Sequence, residues 1–139
     1  MAEQKSRRIQ KNLKVLDLEL YKIINCKFSL GEGLFIKPKK KLWVDINKSL
    51  LAIYEGSSLT YHHMDCIPSI IFNAAKNKVL LGTDKGLIEF STLSQQIKIT
   101  SKVPSGLNDF RSNDGGYFCG DKLLGFMHKE NPAKNTGFI

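Results

Sequence analysis

One unit occurs three times in this chain, and it constrains the fold more than any other feature. "LFIKPKKKLWVDI" (34–46), "SIIFNAAKNKVLLGT" (69–83) and "GGYFCGDKLLGFM" (115–127) share a single plan. Each is an apolar strand, a polar turn ending in lysine, then a second apolar strand. Leu42, Val79 and Leu123 hold equivalent places, 37 and 44 residues apart. Between the units lie short runs rich in Val, Ile, Leu, Phe and Tyr, which suit a pleated and half-buried surface. "LLAIY" (50–54) and "GLIEF" (86–90) read as third strands. "LTYHHM" and "QIKIT" alternate more and read as exposed outer strands. A repeat of about 40–45 residues built from four strands is the period of a propeller blade. An ordinary β-sandwich accounts for regular hairpins, but not for the same strand–turn–Lys–strand unit three times. The expectation is an all-β chain forming a partial β-propeller, with four-stranded antiparallel units near 33–64 and 68–101. The repeats amount to two full blades and the inner part of a third. "TGFI" at the end reads as a strand just begun, so the chain looks truncated mid-blade.

Residues 1–20 stand apart as a basic N-terminal arm, and residues 21–139 as the repeat-bearing domain. Lys and Arg number 21 against 13 Asp and Glu, a net charge of +8. Much of that excess sits in the arm and in "KPKKK" (37–41), read as a solvated hairpin tip. No aromatic residues interleave with the basic ones, as a base-stacking groove requires, which argues against a nucleic-acid partner. No apolar run approaches about 18 residues, which argues against a membrane span. No apolar segment follows the basic N-terminus as a secretory signal requires. Cys26, Cys66 and Cys119 are odd in number and widely spaced, which suits reduced thiols in a cytoplasmic protein. His62, His63 and Cys66 lie close in "HHMDC", without the further Cys or His that completes a zinc pattern. "DIN" (45–47) lacks the glycine and distal glutamate of a calcium loop.

Two polar stretches break the apolar repeats. In "SLGEG" (29–33), Glu32 lies between two glycines, whose small size leaves room for a carboxylate to project. A hard divalent cation takes oxygen ligands, and such a carboxylate is one. The plain alternative is a glutamate in a glycine-rich loop. In "RSNDGG" (111–116), Asn-Asp-Gly is good turn chemistry. Arg111 and Asn113 are two residues apart, so in an extended strand they point the same way and suit joint work on one ligand. Asp114, Gly115 and Gly116 are read as shaping a turn.

Taken in order, "SLGEG", "LWVDI", "RSNDGG" and "GFMHKE" (125–130) resemble the gluconolactonase/regucalcin family, which includes senescence marker protein and luciferin-regenerating enzyme. The resemblance runs from about residue 21 to 139 and covers the N-terminal half of a family member. It implies a six-bladed β-propeller, of which this chain would hold about two and a half blades. It implies metal-dependent hydrolysis of a sugar lactone, with calcium or zinc as the divalent metal. Glu32 would be a metal ligand, and Arg111, Asn113 and Glu130 would contact substrate. Leu34 stands where the family has proline, and Phe126 where it has threonine. The family's later metal ligands, an asparagine and an aspartate, have no counterpart, and no catalytic base is assigned within these 139 residues. The chain is therefore expected to be a poor enzyme alone, and its open strand edges to invite association. The competing reading is a non-catalytic propeller module that binds a partner. The third is a basic nucleic-acid binder.

Overall fold

The computed structural model describes residues 26–131 and 139. The basic arm at 1–20 lies outside them, as does the final strand read in "TGFI" except for Ile139.

Ten strands form three antiparallel sheets in chain order. The first holds β1 (Gly31–Lys37), β2 (Lys40–Asp45), β3 (Leu50–Glu55) and β4 (Ser58–His63). The second holds β5 (Pro68–Ala74), β6 (Lys78–Thr83), β7 (Gly86–Ser91) and β8 (Ile97–Lys102). The third pairs β9 (Phe110–Phe118) with β10 (Asp121–His128). The described residues contain no helix. Each strand pairs only with its chain neighbours, and no sheet closes on itself. The four-stranded units near 33–64 and 68–101 are thus present, with ends shifted by a residue or two.

The alternation in the sequence explains the packing. Leu42 and Val44 on β2, with Leu51 and Ile53 on β3, bury one face of the first sheet. Ile71, Val79, Leu81, Ile88 and Phe90 bury the matching side of the second. The outer strands β4 and β8 are mostly exposed, as their mixed polarity requires.

The first strand of each sheet adjoins the first strand of the next. β5 packs on β1 and β2 at one side and on β9 at the other. A Cβ on Gly33 would lie 2.9 Å from the Ser69 carbonyl oxygen, and its φ is +61°. Glycine is needed there for both reasons. The hydroxyls of Ser69 and Ser112 meet at 2.6 Å in a buried pair. Further along, the Tyr117 hydroxyl donates to the Phe72 carbonyl at 2.8 Å. These contacts, and that of the Lys37 ammonium with the Ala74 carbonyl, set β1, β5 and β9 side by side in one direction.

Two local expectations are corrected. "RSNDGG" is not a turn but lies wholly inside β9. The hairpin turns at Cys119 and Gly120, whose φ values of 48° and 89° are both positive. That is the signature of a tight primed turn, and cysteine at its first position hides it from a reading by turn residues. Gly115 serves packing instead: a Cβ there would sit 2.4 Å from the Leu123 oxygen and 3.2 Å from the Phe72 ring. The lysines of "KPKKK" are also not simply solvated. Besides Lys37, Lys40 donates to the Lys76 carbonyl at 3.4 Å and pairs with Glu55 at 3.7 Å, so this tip grips the next sheet.

Candidate functional site

The start of each first strand lies beside the end of the second strand: Gly31 pairs with Asp45, Pro68 with Thr83, and Phe110 with His128. In each sheet that partner caps the turn that follows. Asp45 Oδ1 accepts from the Lys48 amide, Thr83 Oγ1 from the Lys85 amide, and His128 Nδ1 from the amides of Glu130 and Asn131. Three different side chains do one job, which is to hold one end of the stack. Glu32, Arg111 and Glu130 all lie at that end.

Every first strand is irregular close to its start. The register slips between Glu32 and Phe35 in β1, between Pro68 and Ile70 in β5, and between Ser112 and Asp114 in β9. In β9 the extra residue is Asn113, which lies between Ser112, opposite Phe126, and Asp114, opposite Gly125. A bulge of this kind re-aims side chains. Asn113 is exposed, while Ser112 beside it is fully buried against β5.

Arg111 and Asn113 meet. Arg111 Nη1 donates to Asn113 Oδ1 at 3.1 Å and to the Ser112 carbonyl at 3.3 Å. The guanidinium is partly buried, and that burial lowers its pKa. It forms no ion pair among the described residues. A partly desolvated cation with donors to spare and an amide held beside it can bind oxygen-rich or anionic groups.

Glu32 is exposed on β1 beside an open hollow of about 310 Å³ lined by Gly31, Gly33, Leu34 and Trp43. Neither Arg111 nor Asn113 lines that hollow, and β5 lies between β1 and β9. Glu130 is exposed in the bend after β10, and its amide donates to His128 Nδ1 at 3.2 Å. The four residues therefore share one end of the stack, but only Arg111 and Asn113 are in contact. For a divalent metal, Glu32 is the one oxygen ligand that the sequence assigns at this end. That is well short of the roughly six to eight oxygens such an ion takes. No group of three or more His, Cys, Asp or Glu side chains suited to a metal occurs among the described residues. The donors present do not make a metal site by themselves.

Sequence reasoning missed the residues that build this end. Asp45 is fully buried and also accepts from the amides of Ser29 and Leu30, at 2.7 and 3.2 Å. Asp84 does the same in the second sheet, accepting from the Ile67 amide at 2.7 Å. Their signal was an aspartate at the close of the second strand or one residue beyond it. His62 meets Gln95 rather than Cys66, with Nδ1 to Gln95 Nε2 at 2.9 Å.

The class defined by these features is an all-β stack of antiparallel sheets whose first strands adjoin along one rim. Two solved structures share that fold. One is a calcium-binding protein, regucalcin, from Agrobacterium tumefaciens, with a TM-score of 0.68 and 24% identity over 76% of this chain. The other is a luciferin-regenerating enzyme, with a TM-score of 0.66 and 18% identity over 75% of this chain. The match spans 37% and 38% of those chains, well under half of either. No protein-family model and no curated protein matches the sequence.

Proposed function

We propose that this chain is part of a gluconolactonase-like β-propeller, about two and a half blades of six, whose rim handles a sugar lactone in the cytoplasm. The observation that carries the reading is the Arg111–Asn113 pair. It is held at the end of the stack shared with Glu32, by a strand whose intervening Ser112 is locked to β5. Arg111 and the free amide hydrogens of Asn113 orient lactone hydroxyl and ring oxygens by hydrogen bonding. Glu130 adds an acceptor for hydroxyls at the same end. Glu32 contributes one ligand to a divalent metal, calcium or zinc, whose remaining ligands come from other parts of the ring. No hydrolytic step is assigned to the residues described. The motif order in the sequence supports this reading, as does the fold shared with regucalcin. The odd number and wide spacing of Cys26, Cys66 and Cys119 support a reducing compartment.

The test is hydrolysis of D-glucono-δ-lactone with calcium or zinc, by the chain alone and by a chimera joined to the later sheets of regucalcin. The chimera is expected to turn over the lactone in a metal-dependent way, with loss in Glu32→Ala and Asn113→Ala. The chain alone is expected to show little or none. Turnover indifferent to both substitutions contradicts the assignment. A non-catalytic binding module is the second reading. It predicts no lactone turnover in either form.

A further inference from the structure

Lys48, Lys85 and Lys129 are 37 and 44 residues apart, the same spacing as Leu42, Val79 and Leu123. They are therefore equivalent residues of the three repeats, each in the turn after the second strand. In each sheet the ammonium group does the same thing. Lys48 Nζ donates to the Lys27 carbonyl at 3.2 Å, Lys129 Nζ to the Asn108 carbonyl at 2.8 Å, and Lys85 Nζ to the Asp65 carbonyl. The acceptor precedes its lysine by 20 or 21 residues in every case and lies just before the first strand. Three surface lysines placed at random would not find equivalent carbonyls in three sheets.

The loops so held are the ones that lead into the candidate site. Residues 27–30 run into Glu32, and residues 108–110 run into Arg111. The third clip is the most elaborate. The Lys129 amide donates to the Asp109 carbonyl at 2.8 Å, so both backbone and side chain hold the loop. Its ammonium also lies 3.6 Å from Asp84 Oδ2, and Asp84 Oδ1 accepts from the Ile67 amide at 2.7 Å. One side chain thus ties the loop before β9, which leads into Arg111, to the loop before β5.

We propose that Lys129 is the positioning residue for Arg111, as the most developed of three lysine clips that fix the entry to each first strand. Its part in ligand binding rests on the lactone reading above, but the clip itself does not.

The experiment has two arms. Amide hydrogen exchange is measured on the chain as it stands for wild type, Lys129→Met, Lys129→Arg and Lys48→Met. Methionine keeps the length of the stem and removes the charge. Loss of a charge-assisted bond is expected to speed exchange across 107–111 by about 10-fold or more in Lys129→Met, with 27–32 unchanged. Lys48→Met is expected to do the reverse, and Lys129→Arg to restore most of the protection. Equal exchange in all four proteins, or a uniform rise over the whole chain in Lys129→Met, overturns the clip. The second arm titrates gluconate, the ring-opened product, into wild type, Lys129→Met and Lys129→Arg. About 10-fold weaker binding in Lys129→Met, recovered in Lys129→Arg, supports positioning of Arg111. Unchanged affinity overturns it. Failure of wild type to bind gluconate counts against the lactone reading, and the exchange arm then decides the clip alone.

Discussion

The second and third sheets are built from one unit, yet one is a core and the other a surface. Val79 and Leu123 hold the same place in that unit; Val79 is 0% exposed and Leu123 is 38% exposed. Phe90 is buried in the second sheet, whereas Tyr117 and Phe118 of the third are 60% and 65% exposed. Both hairpins form by antiparallel pairing, each with a register slip near the start of its first strand. The difference teaches that strand, turn and register are local consequences of alternation and turn residues, while burial depends on neighbours. The second sheet lies between two others. The third has a sheet on one side only among the described residues. The outward side of the first sheet is similar, with Leu34 at 66% and Ile36 at 64% exposed. Apolar faces at both ends of a stack are what further sheets of the same kind would cover.

The largest expected effect separates these sheets by side-chain truncation. Leu81→Ala removes a fully buried side chain from the core and should cost about 3 kcal/mol in urea unfolding. Leu123→Ala should cost less than about 1 kcal/mol, because most of a large-to-small penalty needs a filled site around it. Equal losses break the comparison. Next come the glycines. Gly33→Ala places a methyl at 2.9 Å from backbone with φ at +61°, and should cost about 2 kcal/mol. At Gly116 no atom lies within 4 Å of the added Cβ, and alanine there should be neutral within about 0.5 kcal/mol by thermal unfolding.

A smaller effect concerns the seam between the two sheets. Ser69→Ala and Ser112→Ala each leave a buried hydroxyl with a lost partner, at a cost of about 1 kcal/mol. The double substitution should cost less than their sum in a double-mutant cycle, and strict additivity would show that the pair is not coupled. The smallest effect is one of pH. Burial, with Asp84 nearby, pushes the Cys66 thiol from 9.0 up to about 11. The folded value lies above the unfolded one, so this contribution to stability is complete below about pH 9 and fades as pH rises through about 11. Cys66→Ala should flatten the alkaline limb of the stability curve. At pH 7 a thiol reagent should modify exposed Cys119 well before Cys66.

Most of the fold was legible because the repeat is written in apolar spacing, which local physics reads directly. Both four-stranded units follow from runs such as "LWVDI" and "VLLG" with their intervening turns. The third hairpin was misread at one point, since Asn-Asp-Gly favours turns in isolation but here continues a strand packed on Phe72. Tertiary contact overrode local preference at that place. Of the candidate site, the Arg111–Asn113 contact was foreseeable from their spacing, although a bulge at Asn113 was not. The supports were invisible for a different reason. Asp45, Ser69, Ser112 and the three clip lysines act across 13 to 43 residues of sequence, and ordinary composition gives them no local mark.

The most direct test of the account is the place where a sugar acid binds. Gluconate is titrated into isotopically labelled protein, and backbone amide shifts are followed residue by residue. The account predicts that the perturbed amides cluster at the starts of the first strands, around 31–33 and 111–113, and that Arg111→Met abolishes them. Perturbations along the outer strands β4 and β8, or a pattern unchanged by Arg111→Met, would contradict it.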